Sequence, residues 1–160
     1  MTYIGAVAVI FSAFMAWSAY AAFLREESES VRVFLRALED YREKMKCYLE
    51  PPSAWAGKYT DERLSSSGFL PSVEKGESML TAYHRARGNF YLGERADGII
   101  EECFSKMGEG YIDTELEVIE LAIAELAKED KEGTLDLPRR QRVAGALLGA
   151  CAVGIVILVI

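Results

Sequence analysis

The hydrophobic and polar positions of this chain divide into three regimes. Residues 1–24 contain no Asp, Glu, Lys or Arg, and neither do residues 143–160. All 18 basic and 25 acidic side chains lie between Arg25 and Arg142. Inside that charged stretch, Val31, Phe34, Leu35, Leu38, Tyr41, Met45 and Leu49 recur at helical spacing, with Arg32, Arg36, Glu39, Glu43 and Lys46 off the stripe. Pro51 and Pro52 predict the end of this helix, because neither can donate a backbone hydrogen bond and each biases its predecessor away from helix. Nothing between Leu24 and Val31 prevents the helix from running on out of the first apolar segment.

Further along, residues 53–64 predict a short helix and the Ser-Ser-Ser-Gly run at 65–68 a loop. One or two short helices are expected over 72–87, around Val73, Met79, Leu80 and Tyr83, followed by a turn at Gly88-Asn89. Residues 94–107 predict a helix with Ile99, Ile100, Cys103, Phe104 and Met107 inward, and Gly108 suits the left-handed position after it. Asp113 or Thr114 is expected to open the next helix, with Thr114 and Glu117 at capping-box spacing. Leu116, Ile119, Ala122, Ile123 and Leu126 form its apolar face; Glu115, Glu117, Glu120, Glu125 and Glu129 form a wet one. Gly133 weakens that helix, and Pro138 is expected to end or kink it. No stretch alternates with the period of a strand, so the fold class is all-α.

The uncharged ends change this picture. At ~1.5 Å rise per residue, residues 3–24 would span about 33 Å, against ~30 Å for a hydrocarbon core. Tyr3, Trp17 and Tyr20 suit a headgroup region. Residues 143–160 would span about 27 Å, near the lower limit, and carry Gly145-x-x-x-Gly149, a weak helix-packing signal. The expected architecture is a small helical bundle (25–142) flanked by N- and C-terminal transmembrane helices (1–24 and 143–160). Alternatives are a cleaved secretory signal at the start, with a small-x-small site near Ser18-Ala19-Tyr20-Ala21 but no basic residue before Gly5, and a buried core helix at the end. Arg139, Arg140 and Arg142 before the second segment, and Arg25, Arg32 and Arg36 after the first, place the bundle in the cytoplasm and both termini outside.

Charge narrows the function. The formal charge of −7 belongs entirely to the middle region, which disfavours nucleic-acid binding by phosphate neutralisation. Cys47, Cys103 and Cys151 form no CxxC pair and read as free thiols of a reducing compartment, a disulfide being the alternative. His84 has no Cys or carboxylate at ligand spacing. The acidic runs at Glu101-Glu102 and from Glu115 to Glu120 read as solvated helix faces rather than cation sites, and Gly108-Glu109-Gly110 as a turn. There is no GxxxxGK[ST], GxSxG or HExxH motif. No catalytic, cofactor-binding or metal-ligating residue is assigned, and no cofactor. The expectation is a non-enzymatic binding platform, with Trp55, Tyr59, Phe69, Tyr91 and Tyr111 as candidate contact residues.

The order of these segments resembles a known family. Phe34-Leu35-Arg36-Ala37-Leu38-Glu39 precedes a proline break; Phe104-Ser105-Lys106-Met107-Gly108 precedes Asp113 and the helix around Leu116 to Leu126; Leu147-Leu148-Gly149 lies in the last segment. The layout resembles the stage III sporulation protein AB family of endospore-forming bacteria, whose soluble domain is similar to the cytoplasmic domains of the type II secretion inner-membrane protein F. The resemblance implies a membrane subunit of the secretion-like channel complex that links mother cell and forespore. Its place would be the mother-cell membrane around the forespore, its partners other channel subunits and a AAA-type ATPase subunit, and its state oligomeric within that complex. Two features depart from the family pattern: the break at Leu49-Glu50-Pro51-Pro52-Ser53, and the interruption at Gly133 and Pro138. Two other readings remain open at the level of sequence. One is a membrane-anchored scaffold or regulator unrelated to sporulation. The other is a membrane-anchored enzyme, which would need carboxylates meeting a Tyr or His84 in a deep pocket.

Overall fold

Long apolar stripes at helical spacing bury only against other helices, and the chain resolves into helices throughout. The structure, a computed structural model, describes residues 2–108 and 111–159, without the side chains of residues 2–7, 9, 10, 137, 152 and 156–159. Among the described residues seven α-helices follow one another: α1 (Thr2–Tyr48), α2 (Pro52–Ala56), α3 (Glu62–Ser66), α4 (Phe69–Glu74), α5 (Met79–Ala86), α6 (Glu94–Lys106) and α7 (Ile112–Val159), with a 3-10 turn at Arg87–Asn89. Among the described residues there is no strand, which agrees with the all-α reading. The chain divides into two compact units, one of Met1–Glu26 with Glu132–Ile160 and one of Glu27–Lys131.

The unit Glu27–Lys131 is built around Phe34, which is fully buried. Phe69, Tyr83, Phe90 and Phe104 meet its ring edge to face at 6.0, 5.5, 4.8 and 6.4 Å between centroids. This geometry sets the positive edge of one ring against the negative face of another, and each such pair adds roughly 0.5–1.5 kcal/mol beyond its buried area. The predicted stripe of α1 holds as far as Met45: Val31, Phe34, Leu38, Tyr41 and Met45 are buried and Leu35 partly so, while Leu49 is exposed. The inward faces of α6 (Ile99, Ile100, Cys103, Phe104) and α7 (Ile119, Ala122, Ile123, Leu126) hold too.

Local chemistry sets the boundaries. Pro52 opens α2 at a position where its missing N–H costs nothing. Asp61 caps α3 by accepting the Leu64 N–H at 3.0 Å, and Ser78 caps α5 by accepting that of Thr81 at 3.2 Å. The single helix expected over 53–64 is therefore two, and the serine run is partly helical, its loop closing on Gly68 at φ 86°. Gly108 takes the predicted left-handed conformation, at φ 88°. The start of α7 differs from expectation: the helix opens at Ile112, ahead of Asp113 and Thr114, and Glu115 Oε1 accepts the Gly108 N–H of the preceding turn at 2.8 Å. Neither Gly133 nor Pro138 ends α7, which runs through both.

The flanking transmembrane helices are corrected. Among the described residues no helix is long and apolar enough to cross a membrane. Residues 2–24 and 143–159 are instead the outer turns of α1 and α7, helices that continue into charged sequence. Both helices run without a break into charged sequence, and their outer turns carry Ser12, Ser18, Gly145, Gly149 and Gly154 among the apolar residues. The expected headgroup role of Tyr3 and the apolar side chains of residues 156–160 lie outside the described residues. Within the unit of Met1–Glu26 and Glu132–Ile160, a Cβ at Gly145 would stand 3.3 Å from Nε1 of Trp17, so glycine permits a close approach there.

Candidate functional site

Where α1 stops, its last turn and the residues around α2 enclose an open cleft of about 640 Å³. Asp40, Lys44 and Tyr48 line it from α1, Leu49, Glu50 and Pro51 from the break, and Ala54, Trp55, Lys58, Tyr59 and Thr60 from α2 and beyond. The floor is fixed. Trp55 Nε1 donates to Asp40 Oδ2 at 2.8 Å, and the Trp55 ring packs on Tyr41 and stacks on Tyr59, both at 5.1 Å between centroids. Burial, followed by the negative charges of Asp61 and Asp40, pushes the Tyr59 phenol above its usual pKa, so it stays a neutral hydroxyl. Lys58 pairs with Glu50 across the mouth. Lys44 places its ammonium 5.9 Å from the centre of the Tyr48 ring, within cation–π range.

The rim is unusual. Leu49 has φ 52°, the left-handed region, while its N–H still donates to the Met45 carbonyl at 3.0 Å. A side chain there brings Cβ toward the following carbonyl, at a cost of roughly 1–2 kcal/mol that glycine avoids. Leu49 was expected on the inward stripe of α1. Its left-handed backbone turns it outward instead, 64% exposed, beside Tyr48 at 73%. The chain thus presents two large apolar side chains to solvent next to a cleft with a rigid aromatic floor.

A second polar group joins α5 to α6. The Tyr83 hydroxyl donates to Asp97 Oδ1, whose other oxygen pairs with Arg87. Arg87 also approaches Glu101 at 3.9 Å, and His84 Nε2 lies 3.5 Å from the same carboxylate. Burial and then the hydrogen bond to Asp97 hold the Tyr83 pKa well above its ordinary value. Asp97 is buried, and its two donors compensate the lost hydration of its charge. His84 therefore does have a carboxylate neighbour, Glu101, which lies seventeen positions away and so escaped spacing arguments.

All three cysteines are free: Cys47 and Cys151 are exposed and Cys103 is buried. Burial, with a smaller contribution from Glu102, pushes the Cys103 thiol up to about 12. Among the described residues no three His, Cys, Asp or Glu side chains are grouped to hold a metal ion. Of the candidate contact residues, Trp55 and Phe69 lie in the core, Tyr59 packs against it, and Tyr91 and Tyr111 are exposed. Sequence reasoning missed Tyr48 and Leu49. The one available signal was the proline pair two residues further on, which forces the chain out of α1 where its stripe still reads apolar. Comparison with protein-family models, curated proteins and solved structures finds no match for this chain.

Proposed function

We propose that this chain is a non-enzymatic docking subunit of the secretion-like channel complex that links mother cell and forespore. Its helical domain would meet a AAA-type ATPase subunit in the mother-cell cytoplasm. The observation that carries the docking role is the lip formed by Tyr48 and Leu49 beside the cleft. A non-glycine residue kept at strained φ and exposed to solvent stores free energy that its own fold does not recover, as functional contacts do. The exposed apolar pair would supply the central anchor of an interface, and Lys44 and the Lys58–Glu50 pair its polar rim. The identity of the assembly rests on the resemblance of the segment order to the sporulation family.

The test is co-purification from sporulating cells in mild detergent, with wild-type protein and with Leu49→Asp. Wild type is expected to bring down a channel or ATPase subunit, and the variant to lose it while unfolding at an unchanged or higher urea concentration. Recovery of neither partner with wild type would remove the sporulation reading. Equal recovery with both proteins would remove the lip as the docking surface.

A further inference from the structure

The unit of Met1–Glu26 and Glu132–Ile160 differs in charge from the rest of the chain. It holds four basic residues, Arg25, Arg139, Arg140 and Arg142, and three acidic ones, Glu26, Glu132 and Asp136, in a protein whose total is −7. Arg139, Arg140 and Arg142 are exposed, and among the described residues none of them has a carboxylate partner. They sit where the charged sequence of α7 gives way to its uncharged end. A groove of about 400 Å³ opens at this boundary. Tyr20 lines it from α1, and along α7 the lining runs from Asp136, Arg139 and Arg140 to Val143, Ala144 and Leu147. Exposed apolar side chains continue beyond it in the same unit, among them Phe14 and Val153.

We propose that this groove binds the phosphate headgroup of an anionic phospholipid at a bilayer surface. Arg139 and Arg140 would take the phosphate, and Val143 and Leu147 the first methylenes of the acyl chains. The order of groups along the groove, guanidinium then aliphatic, is the order of groups along such a lipid. Guanidinium matches phosphate through two parallel N–H donors, and its weak hydration lowers the cost of leaving water. Arg142, two residues further on, adds to the local positive potential. Asp136 opposes a phosphate, but two arginines face its single charge. The unit lies on the membrane in this arrangement, with apolar side chains at the headgroup boundary and no helix crossing. The proposal is independent of the channel docking described above and needs no partner protein.

Vesicle flotation of the full chain tests it, together with quenching of tryptophan fluorescence by brominated acyl chains. Trp17 lines an adjoining apolar groove with Phe14, Gly145 and Leu148, whereas Trp55 is buried in the core of the other unit. The protein is expected to float with vesicles containing phosphatidylglycerol and not with pure phosphatidylcholine, and Trp17 to be quenched. The double variant R139Q/R140Q is expected to bind about thirty-fold more weakly, since each arginine near an anionic surface contributes ~1 kcal/mol. Asp136→Asn is expected to bind more tightly, which keeps the test decisive should the double variant fold poorly. Absence of binding, or equal binding to both vesicle types, overturns the proposal. So does full competition by millimolar inorganic phosphate, which marks a site for the free anion. Self-association that hides this face, with vesicle binding unchanged in R139Q/R140Q, overturns it in favour of a second copy of the chain.

Discussion

Leu49 combines a left-handed backbone with a large apolar side chain left in solvent. At φ 52° its side chain is strained, and at 64% exposure it recovers little by burial. Leu49→Gly is expected to raise the free energy of unfolding by about 1 kcal/mol, read from urea denaturation, because only the left-handed strain is removed. A loss of stability would mean that the leucine packs usefully after all. The reverse holds at Tyr83, whose ring touches Phe34 and Phe104 while its hydroxyl donates to the buried Asp97. Tyr83→Phe keeps the ring and withdraws one donor from a buried carboxylate, so a loss of roughly 1–3 kcal/mol is expected. An unchanged unfolding midpoint would show that Arg87 alone satisfies Asp97.

Among the elements, the helices that sequence periodicity located well are those with several turns. The stripe of α1 from Val31 to Met45 and the inward faces of α6 and α7 repeat often enough to define a face. The helices α2 and α3 have five residues each, too few for a period, and their boundaries come from Pro52 and the Asp61 cap. The continuation of α7 through Pro138 is the opposite case. A proline interrupts the local ladder, since it offers no N–H to the Thr134 carbonyl and crowds it, yet the flanking turns remain helical. Pro138→Ala restores that donor. It is expected to increase helical circular dichroism and to stabilise the helix by up to ~3 kcal/mol. A variant with a lower melting temperature would indicate that the proline is accommodated at no cost.

For the molecule as a whole, the buried proton-bearing groups set a limit at high pH. Burial raises the thiol of Cys103 from 9.0 to about 12, and the phenols of Tyr41 and Tyr83 well above 10.0. In the unfolded chain these groups lose protons from about pH 9 upward, while the folded chain keeps them. Their contribution is therefore complete below the unfolded pKa values and is lost as pH rises toward the folded ones. The urea midpoint is expected to hold steady near neutrality, fall from about pH 9, and fall more steeply past pH 10. Cys103→Ala should move the onset toward pH 10, and Tyr83→Phe should shallow the later decline. A midpoint independent of pH up to 11 would contradict this picture of the core.

Sequence by itself determined the all-α class, the inward faces of the long helices and the left-handed turn at Gly108, because each follows from a repeat or a local backbone preference. It could not determine which aromatic rings would close around Phe34, since Phe69, Tyr83, Phe90 and Phe104 come from four separate stretches brought together only by packing. Nor could it pair Arg32 with Asp130, 98 positions apart and 2.9 Å distant in the fold. The charge-free ends were legible as a pattern and read as two membrane spans, but among the described residues no helix is long and apolar enough to cross a membrane. The exposed pair Tyr48 and Leu49 and the groove at Arg139 and Arg140 belong to tertiary structure. Exposure is decided by what the remainder of the chain covers, and that information is not local to any residue.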